Sequence, residues 1–112
     1  MNKRQIGSEK ESLACEFLKE RGYVIIEQNY RCRLGEIDII AKDGIYLVFA
    51  EVKFRRTGKL GDPFEAVDAH KQSKIRQVAN CYLMQNKIEN AWVRFDVVGI
   101  LGDEIHLVKD AF

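Results

Sequence analysis

Gly35-Glu36-Ile37-Asp38-Ile39-Ile40-Ala41-Lys42-Asp43-Gly44-Ile45-Tyr46-Leu47-Val48-Phe49-Ala50-Glu51-Val52-Lys53-Phe54-Arg55 is the stretch on which the fold turns. Glu36 to Lys42 and Ile45 to Arg55 are β-rich runs, and Asp43-Gly44 between them is a two-residue hairpin signal. A turn at Asp43-Gly44 predicts that Lys42 faces Ile45, Ile40 faces Leu47, Asp38 faces Phe49 and Glu36 faces Glu51. Side chains alternate along a strand, so one face carries Ile37, Ile39, Ala41, Tyr46, Val48, Ala50, Val52 and Phe54. That face is wholly apolar and belongs in a core. The other face carries Ile40, Ile45, Leu47 and Phe49 near the turn, with Lys42 at its edge. Farther from the turn it carries Glu36, Asp38, Glu51, Lys53 and Arg55. A register shift by two keeps these charges together, whereas a shift by one would exchange the faces.

Upstream, residues 8–21 read as a helix. Ser8 is placed to cap it, Glu11 completes a capping box, and Leu13, Ala14, Cys15, Phe17 and Leu18 supply apolar positions up to the stop at Gly22. Tyr23 to Ile26 is a short strand, and Arg31 to Leu34 is a polar link ending at Gly35. Downstream, Thr57, Gly58, Gly61 and Pro63 mark residues 56–66 as a loop. Val67, Ile75, Val78, Ala79, Tyr82 and Leu83 follow the helical period and predict a helix over 66–86. Ala91 to Ile100 is a strand, Gly102-Asp103 a turn, and Glu104 to Val108 a short closing strand. A strand, a long helix and a further strand make a crossover, which joins parallel strands. The expectation is an α/β fold of order α-β-β-β-α-β-β, a mixed β-sheet flanked by helices, in a single domain over residues 1–112. Trp92, Phe95 and Tyr82 are expected in the core. Asp96 is expected to cap, or to pair with Arg94 or an arginine of the site.

Composition narrows the class. The chain has 112 residues, 46% hydrophobic and 31% charged, which is the make-up of an ordinary globular domain. Its 18 Lys+Arg and 17 Asp+Glu give a net charge of +1, which excludes a polybasic coat or an acidic tail. No stretch approaches the ~20 apolar residues that a membrane-spanning helix requires, so no membrane association is expected. The N-terminus lacks the apolar stretch of a secretory signal. Cys15, Cys32 and Cys81 are odd in number and contain no Cys-x-x-Cys, which argues for reduced, packing thiols in a cytoplasmic protein. His70 and His106 are far apart and lack metal-ligand spacing.

Glu36, Asp38 and Glu51 beside Lys53 need an explanation, because like charges across strands repel by up to ~1 kcal/mol even when solvated. Two accounts fit. Either this is an exposed sheet end whose acids pair with Lys53, Arg55 and nearby basic groups, or it is a metal site. Carboxylate oxygens suit a hard divalent cation, Mg²⁺ or Mn²⁺, and the lack of a His or Cys cluster argues against zinc.

Gly35-Glu36-Ile37-Asp38 followed by Phe49-Ala50-Glu51-Val52-Lys53 resembles the PD-(D/E)xK nuclease signature, in which an Asp on one strand meets an acidic-x-Lys on the next. Glu11, Asn29-Tyr30-Arg31, Lys71 and Arg94-Phe95-Asp96 extend the resemblance over nearly the whole chain to the YraN-like bacterial family, which is similar to Holliday-junction resolvases. That resemblance implies a restriction-endonuclease-like fold. It implies that Asp38, Glu51 and Lys53, with Glu11, are catalytic, and that Asp38 and Glu51, with the backbone carbonyl of Val52, hold Mg²⁺ or Mn²⁺. Lys53 matches the lysine that positions or activates the attacking water. The family has Gly before the helix acid where this chain has Lys10, so Glu9 competes with Glu11 for that role. The signature's Pro is also absent. Glu36 shares the acidic face, either supporting the ligands from behind or closing the strand.

What this implies is a metal-dependent endonuclease that hydrolyses DNA phosphodiesters, branched or structured DNA included. The alternative is a nucleic-acid-binding protein of nuclease fold without catalysis. Arg31, Arg33, Arg55, Arg56, Lys59 and Lys71 would flank the site from three segments and contact phosphates, as Lys74 and Arg76 nearby could. The resemblance to resolvases puts DNA ahead of RNA, and nothing in the chain looks like base readout. Resolvases cut two strands as symmetric pairs, so the resemblance also carries a homodimer as an expectation.

Overall fold

A computed structural model of the chain describes residues 3–56 and 67–112, with side chains from residue 7 onward. Its elements are α1 (Lys3–Glu20), β1 (Val24–Cys32), β2 (Gly35–Asp43), β3 (Tyr46–Arg55), α2 (Ala69–Gln85), β4 (Trp92–Leu101) and β5 (Glu104–Val108). The five strands form one sheet in the order β1-β2-β3-β4-β5. β3 and β4 are parallel, joined by the α2 crossover, and every other neighbouring pair is antiparallel. This is the expected order of elements in a mixed sheet, and it is that of a restriction-endonuclease-like fold.

The sheet separates two cores. Ala14, Cys15 and Leu18 of α1 pack on Ile39, Ala41, Val48, Ala50, Val98 and Ile100. Ile75, Val78, Ala79 and Tyr82 of α2 pack on the opposite face, on Ile37, Ile40, Leu47, Phe49, Phe95 and Val97. Gly35 lets α2 approach: a Cβ there would sit 3.3 Å from Val78 Cγ2, and its φ of +147° suits glycine alone. Among the described residues, no helix is long and apolar enough to cross a membrane.

Element edges differ from expectation. α1 begins at Lys3, so Ser8 lies inside the helix and does not cap it. Lys3, Arg4 and Gln5 are good helix formers, and the helix runs through Gly7 past the local capping signal. α2 starts at Ala69, where Asp68 caps it by accepting the Lys71 N–H at 2.9 Å. β1 runs on to Cys32, which pairs with Gly35 and reduces the polar link to Arg33-Leu34. The glycine- and proline-marked loop at 57–66 lies outside the described residues. Phe95 and Tyr82 are buried, but Trp92 is 64% exposed, because it opens β4 beyond the cover of either helix.

The hairpin register is shifted by two. Asp43 pairs with Tyr46, Lys42 with Leu47 and Ile40 with Phe49, so the turn is Gly44-Ile45. The cause is tertiary. Asp43 Oδ2 accepts from Arg94 Nη2 at 2.7 Å and from Lys109 Nζ at 3.3 Å, which holds Asp43 in the strand. Gly44, with φ +62°, then takes the first turn position. A second irregularity moves Ile37 off the face it was expected to share with Ile39. Asn29 has a left-handed φ of +54° and, with Asp38, falls between the pairs Gln28–Ile39 and Tyr30–Ile37. Beyond that point both Tyr30 and Ile37 face α2.

Arg94 and Asp96 share a buried network. Asp96 is fully buried and takes Arg94 Nε at 2.9 Å, the Tyr23 hydroxyl at 2.7 Å and the Asp110 N–H at 3.0 Å. Arg94 Nη2 also donates to the Tyr23 oxygen at 2.9 Å. Among the described residues, no buried side-chain polar atom lacks a partner. Asp96 therefore pairs with Arg94, one of the roles expected for it. Removing one member of a buried ion pair strands the other charge, which costs about 3–5 kcal/mol. Asp96→Ala is expected to lower the unfolding free energy in urea by that amount, whereas the double change Arg94→Met with Asp96→Leu falls nearer the parent. Equal losses in the single and double variants would show that the network's charges do not carry the effect.

Candidate functional site

The β2–β3 ladder ends at Ile39–Ala50. In the alternation of an antiparallel pair, the next hydrogen-bonded rung in this register would join Ile37 and Val52. Instead, the Val52 N–H donates to Asp38 Oδ2 at 2.8 Å. A side chain thus takes the place of a backbone partner, where β2 also changes face. Asp38 and Glu51 fall opposite each other there, at the carboxyl end of the parallel pair β3–β4.

Both helices reach this spot. α2 brings Lys71, whose Nζ lies 3.1 Å from Glu51 Oε1. α1 brings Glu11 beside Asp38 and Asn29, near enough for both side chains to act on its carboxyl. Glu11, and not Glu9, is therefore the α1 acid beside Asp38; Glu9 is exposed. Lys10, which stands where the YraN-like pattern has Gly, lays its ammonium over the Phe54 ring at 4.6 Å from the centroid. It thereby occupies the outside of β3 and leaves Glu11 turned to the acids.

Electrostatics at the site are strained in one direction. Burial, then the nearby Glu51 charge, push the Asp38 carboxyl up to about 7. Burial also raises Glu51, against the opposing pull of Lys71 and of a hydrogen bond shared with Asp38. Glu11 is raised by burial and by Asp38, with the Asn29 amide pulling the other way. Lys71 is held charged chiefly by Glu51. Three acids thus resist ionisation together, and the partly exposed Lys71 is drawn to them by its pairing with Glu51.

The remaining predicted residues are distributed around this centre. Lys53 is half-buried and, with Glu51, Val52, Phe54, Arg55, Val67, Asp68 and Lys71, lines a cleft of ≈ 350 Å³. Val52, which lines the same cleft, contributes its N–H to Asp38. Glu36 is exposed and pairs with Arg31 Nε at 2.9 Å; such a surface pair contributes little stability. Arg33 and Lys74 share a shallow cleft with Arg31 and Glu36 at the β1–β2 turn. Arg55 and Arg56 are exposed past Lys53 at the end of β3, and Arg55 Nη1 donates to the Phe54 carbonyl at 3.0 Å. Lys59 lies outside the described residues. The sequence reading placed Lys71 on phosphate and missed its contact with Glu51, which no spacing rule could reveal because it crosses from helix to sheet. It also gave Asn29 no role, although an asparagine in a strand is a signal for a left-handed backbone.

Among the described residues, no group of three or more His, Cys, Asp and Glu side chains is poised to hold a metal ion. The donor chemistry nonetheless fits one. Mg²⁺ retains several waters and is bound through one or two carboxylates, so it does not require an all-protein cage. Asp38 and Glu51 are two such carboxylates, half-buried and adjacent, and a divalent charge would offset the burial that raises both and the Glu51 charge that raises Asp38.

Residues 10–100 match the family model described as "Uncharacterised protein family UPF0102". A UPF0102 protein of Lachnoclostridium phytofermentans is 50% identical over 113 residues, covering 100% of this chain and 96% of that protein. One of Caldicellulosiruptor saccharolyticus is 46% identical, with 100% of both chains covered. One of Syntrophus aciditrophicus is 49% identical over 91% of this chain and 84% of its own.

A carboxyl with a raised folded-state pKa binds its proton more tightly when folded. The resulting stabilisation is complete below the ordinary carboxyl range and is lost as pH rises through about 7. In divalent-free buffer, urea unfolding of the parent is expected to weaken between about pH 4 and about pH 7 relative to Asp38→Asn, on the order of a few kcal/mol. Asparagine keeps an oxygen for the Val52 N–H but cannot ionise. A parent-to-variant difference that is flat with pH would show that Asp38 titrates normally.

Proposed function

The chain belongs to the UPF0102 family, and on that premise we propose that it is a divalent-metal-dependent endonuclease hydrolysing DNA phosphodiesters, branched or structured DNA foremost. The buried Asp38–Glu51 pair at the end of the β2–β3 ladder carries this reading. Two acids that burial, and for Asp38 also the Glu51 charge, hold back from ionising have little reason to be kept there for stability alone. Displaced pKa values of this kind cluster at functional sites.

Asp38 and Glu51, with the Val52 carbonyl, would hold Mg²⁺ or Mn²⁺, which supplies charge neutralisation at the phosphoryl group and a more acidic water. Asp38 is pre-oriented by the Val52 N–H, so one of its oxygens is already committed to geometry. Lys53, two residues on from Glu51 along the strand, lines the same cleft and donates a hydrogen bond to the attacking water or the scissile phosphate. Glu11 adds a carboxylate from the opposite face of the sheet. Arg31, Arg33, Arg55 and Arg56 cluster at this end of the sheet and are exposed, which suits phosphate contacts along a strand of nucleic acid. Lys59 and Lys71 belong to the same set. DNA is the favoured polymer, a pair of chains the favoured unit for cutting two strands, and the three free thiols suit a reducing cytoplasm.

A second reading, a nucleic-acid-binding protein without catalysis, is favoured by one observation: Lys71 already neutralises Glu51. The two separate in one assay. Linear, flapped and four-way DNA are incubated with the chain and Mg²⁺ or Mn²⁺, with EDTA as control. Metal-dependent product is expected, reduced at least about 100-fold in Asp38→Ala and Lys53→Ala. Variants that cleave as well as the parent would remove the assigned site. Salt-sensitive binding that survives EDTA, without product on any substrate, would select the second reading.

A further inference from the structure

We propose that Lys71 is the built-in counter-cation of the site: it holds Glu51 when no divalent ion is bound and must release Glu51 for one to bind, so it sets the site's divalent affinity. This rests on the metal reading above.

The contact is asymmetric. Lys71 Nζ lies 3.1 Å from Glu51 Oε1, yet the lysine side chain is 54% exposed and that of Glu51 only 13%. Glu51 sits on a strand inside the cleft wall. Lys71 is a flexible four-carbon arm that can turn into solvent without disturbing packing. Its backbone is fixed, because the N–H of Lys71 is held by the Asp68 cap at 2.9 Å. Release is therefore a side-chain rotation and leaves α2 in place.

The cation and a divalent ion want the same oxygens. Glu51 is the first influence on the Lys71 charge, and Asp38 attracts it as well. A divalent ion between Asp38 and Glu51 would meet an ammonium at van der Waals range and be repelled until the lysine moved. Arg31 and Glu36 show the contrast: their pair is 2.9 Å long, but both side chains are largely exposed, so solvent replaces either partner at little cost.

The inference is tested by titrating Mg²⁺ into the metal-stripped full chain in a calorimeter at pH 8.5, where a proton does not substitute for the departed lysine. Lys71→Met is expected to bind Mg²⁺ about tenfold more tightly than the parent, an effect of the size expected for a nearby charge at moderate dielectric. Lys71→Arg, which keeps the cation, stays close to the parent, and Glu51→Gln abolishes binding. Metal-free Lys71→Met should melt below the parent and regain the difference in Mg²⁺. Lys71→Gln serves if the methionine variant fails to fold. Binding by Lys71→Met but not by the parent supports the proposal in its strongest form. Equal or weaker binding by Lys71→Met, with the parent binding through Glu51, overturns the proposal alone. No binding by either protein, or binding indifferent to Glu51→Gln, overturns this proposal and the metal reading together.

Discussion

The hydrogen bond from the Val52 N–H to the Asp38 carboxylate is the constraint around which the open end of the β2–β3 ladder is organised. A backbone donor in a sheet interior has to be satisfied, and leaving it unpaired is costly. Satisfying it with a side chain rather than the next strand lets β2 and β3 part after Ile39–Ala50. Only where they part is there room for Asp38 and Glu51 between the layers, and for Glu11 and Lys71 to approach from opposite faces. The same parting requires β2 to change face. Asn29, in the left-handed region, accomplishes the corresponding change in β1.

The network toward the other end of the sheet is the complement of this opening. Arg94 and Asp96 lie on one strand, yet between them they gather Tyr23, Asp43 and the Asp110 backbone. These come from the link between α1 and β1, the last residue of β2 and the segment after β5. Here every acid has a donor. At the candidate site Asp38, Glu51 and Glu11 are all raised, so their charges are not fully matched. The molecule therefore holds buried charge in two ways: neutralised where it ties segments together, and under-compensated where a ligand is proposed to bind.

Much of the fold was legible in the residues. The α-β-β-β-α-β-β order followed from apolar periodicity, and the parallel β3–β4 pair followed from the handedness and length of the crossover. The charge grouping on the hairpin was legible in part: a register shift by two keeps Asp38, Glu51 and Lys53 together, but the change of face at Asp38, which no alternation rule anticipates, puts Glu36 with Glu11 and Arg31 instead. Trp92 misled, since aromatic character reports a preference for burial but not the place where a helix ceases to cover a strand. Ser8 misled because a capping pattern is local, while helix length responds to the residues before it.

Strand parity, being a property of the chain's own geometry, was enough to put Asp38, Glu51 and Lys53 in one neighbourhood, while the change of face in β2 takes Glu36 out of it. Choosing among these and their partners required contacts between segments far apart in the chain. Asp43 stays in its strand because Arg94, some fifty positions away, holds it. Glu36 turns out to solvent with Arg31, while Glu51 turns in to Lys71 across twenty residues. Glu11 is set apart from Glu9 by the face of α1 that meets the sheet. In each case the residue types announced the available chemistry. The pairing was settled by burial, which makes an unmatched charge expensive and so selects among partners that look equivalent along the chain.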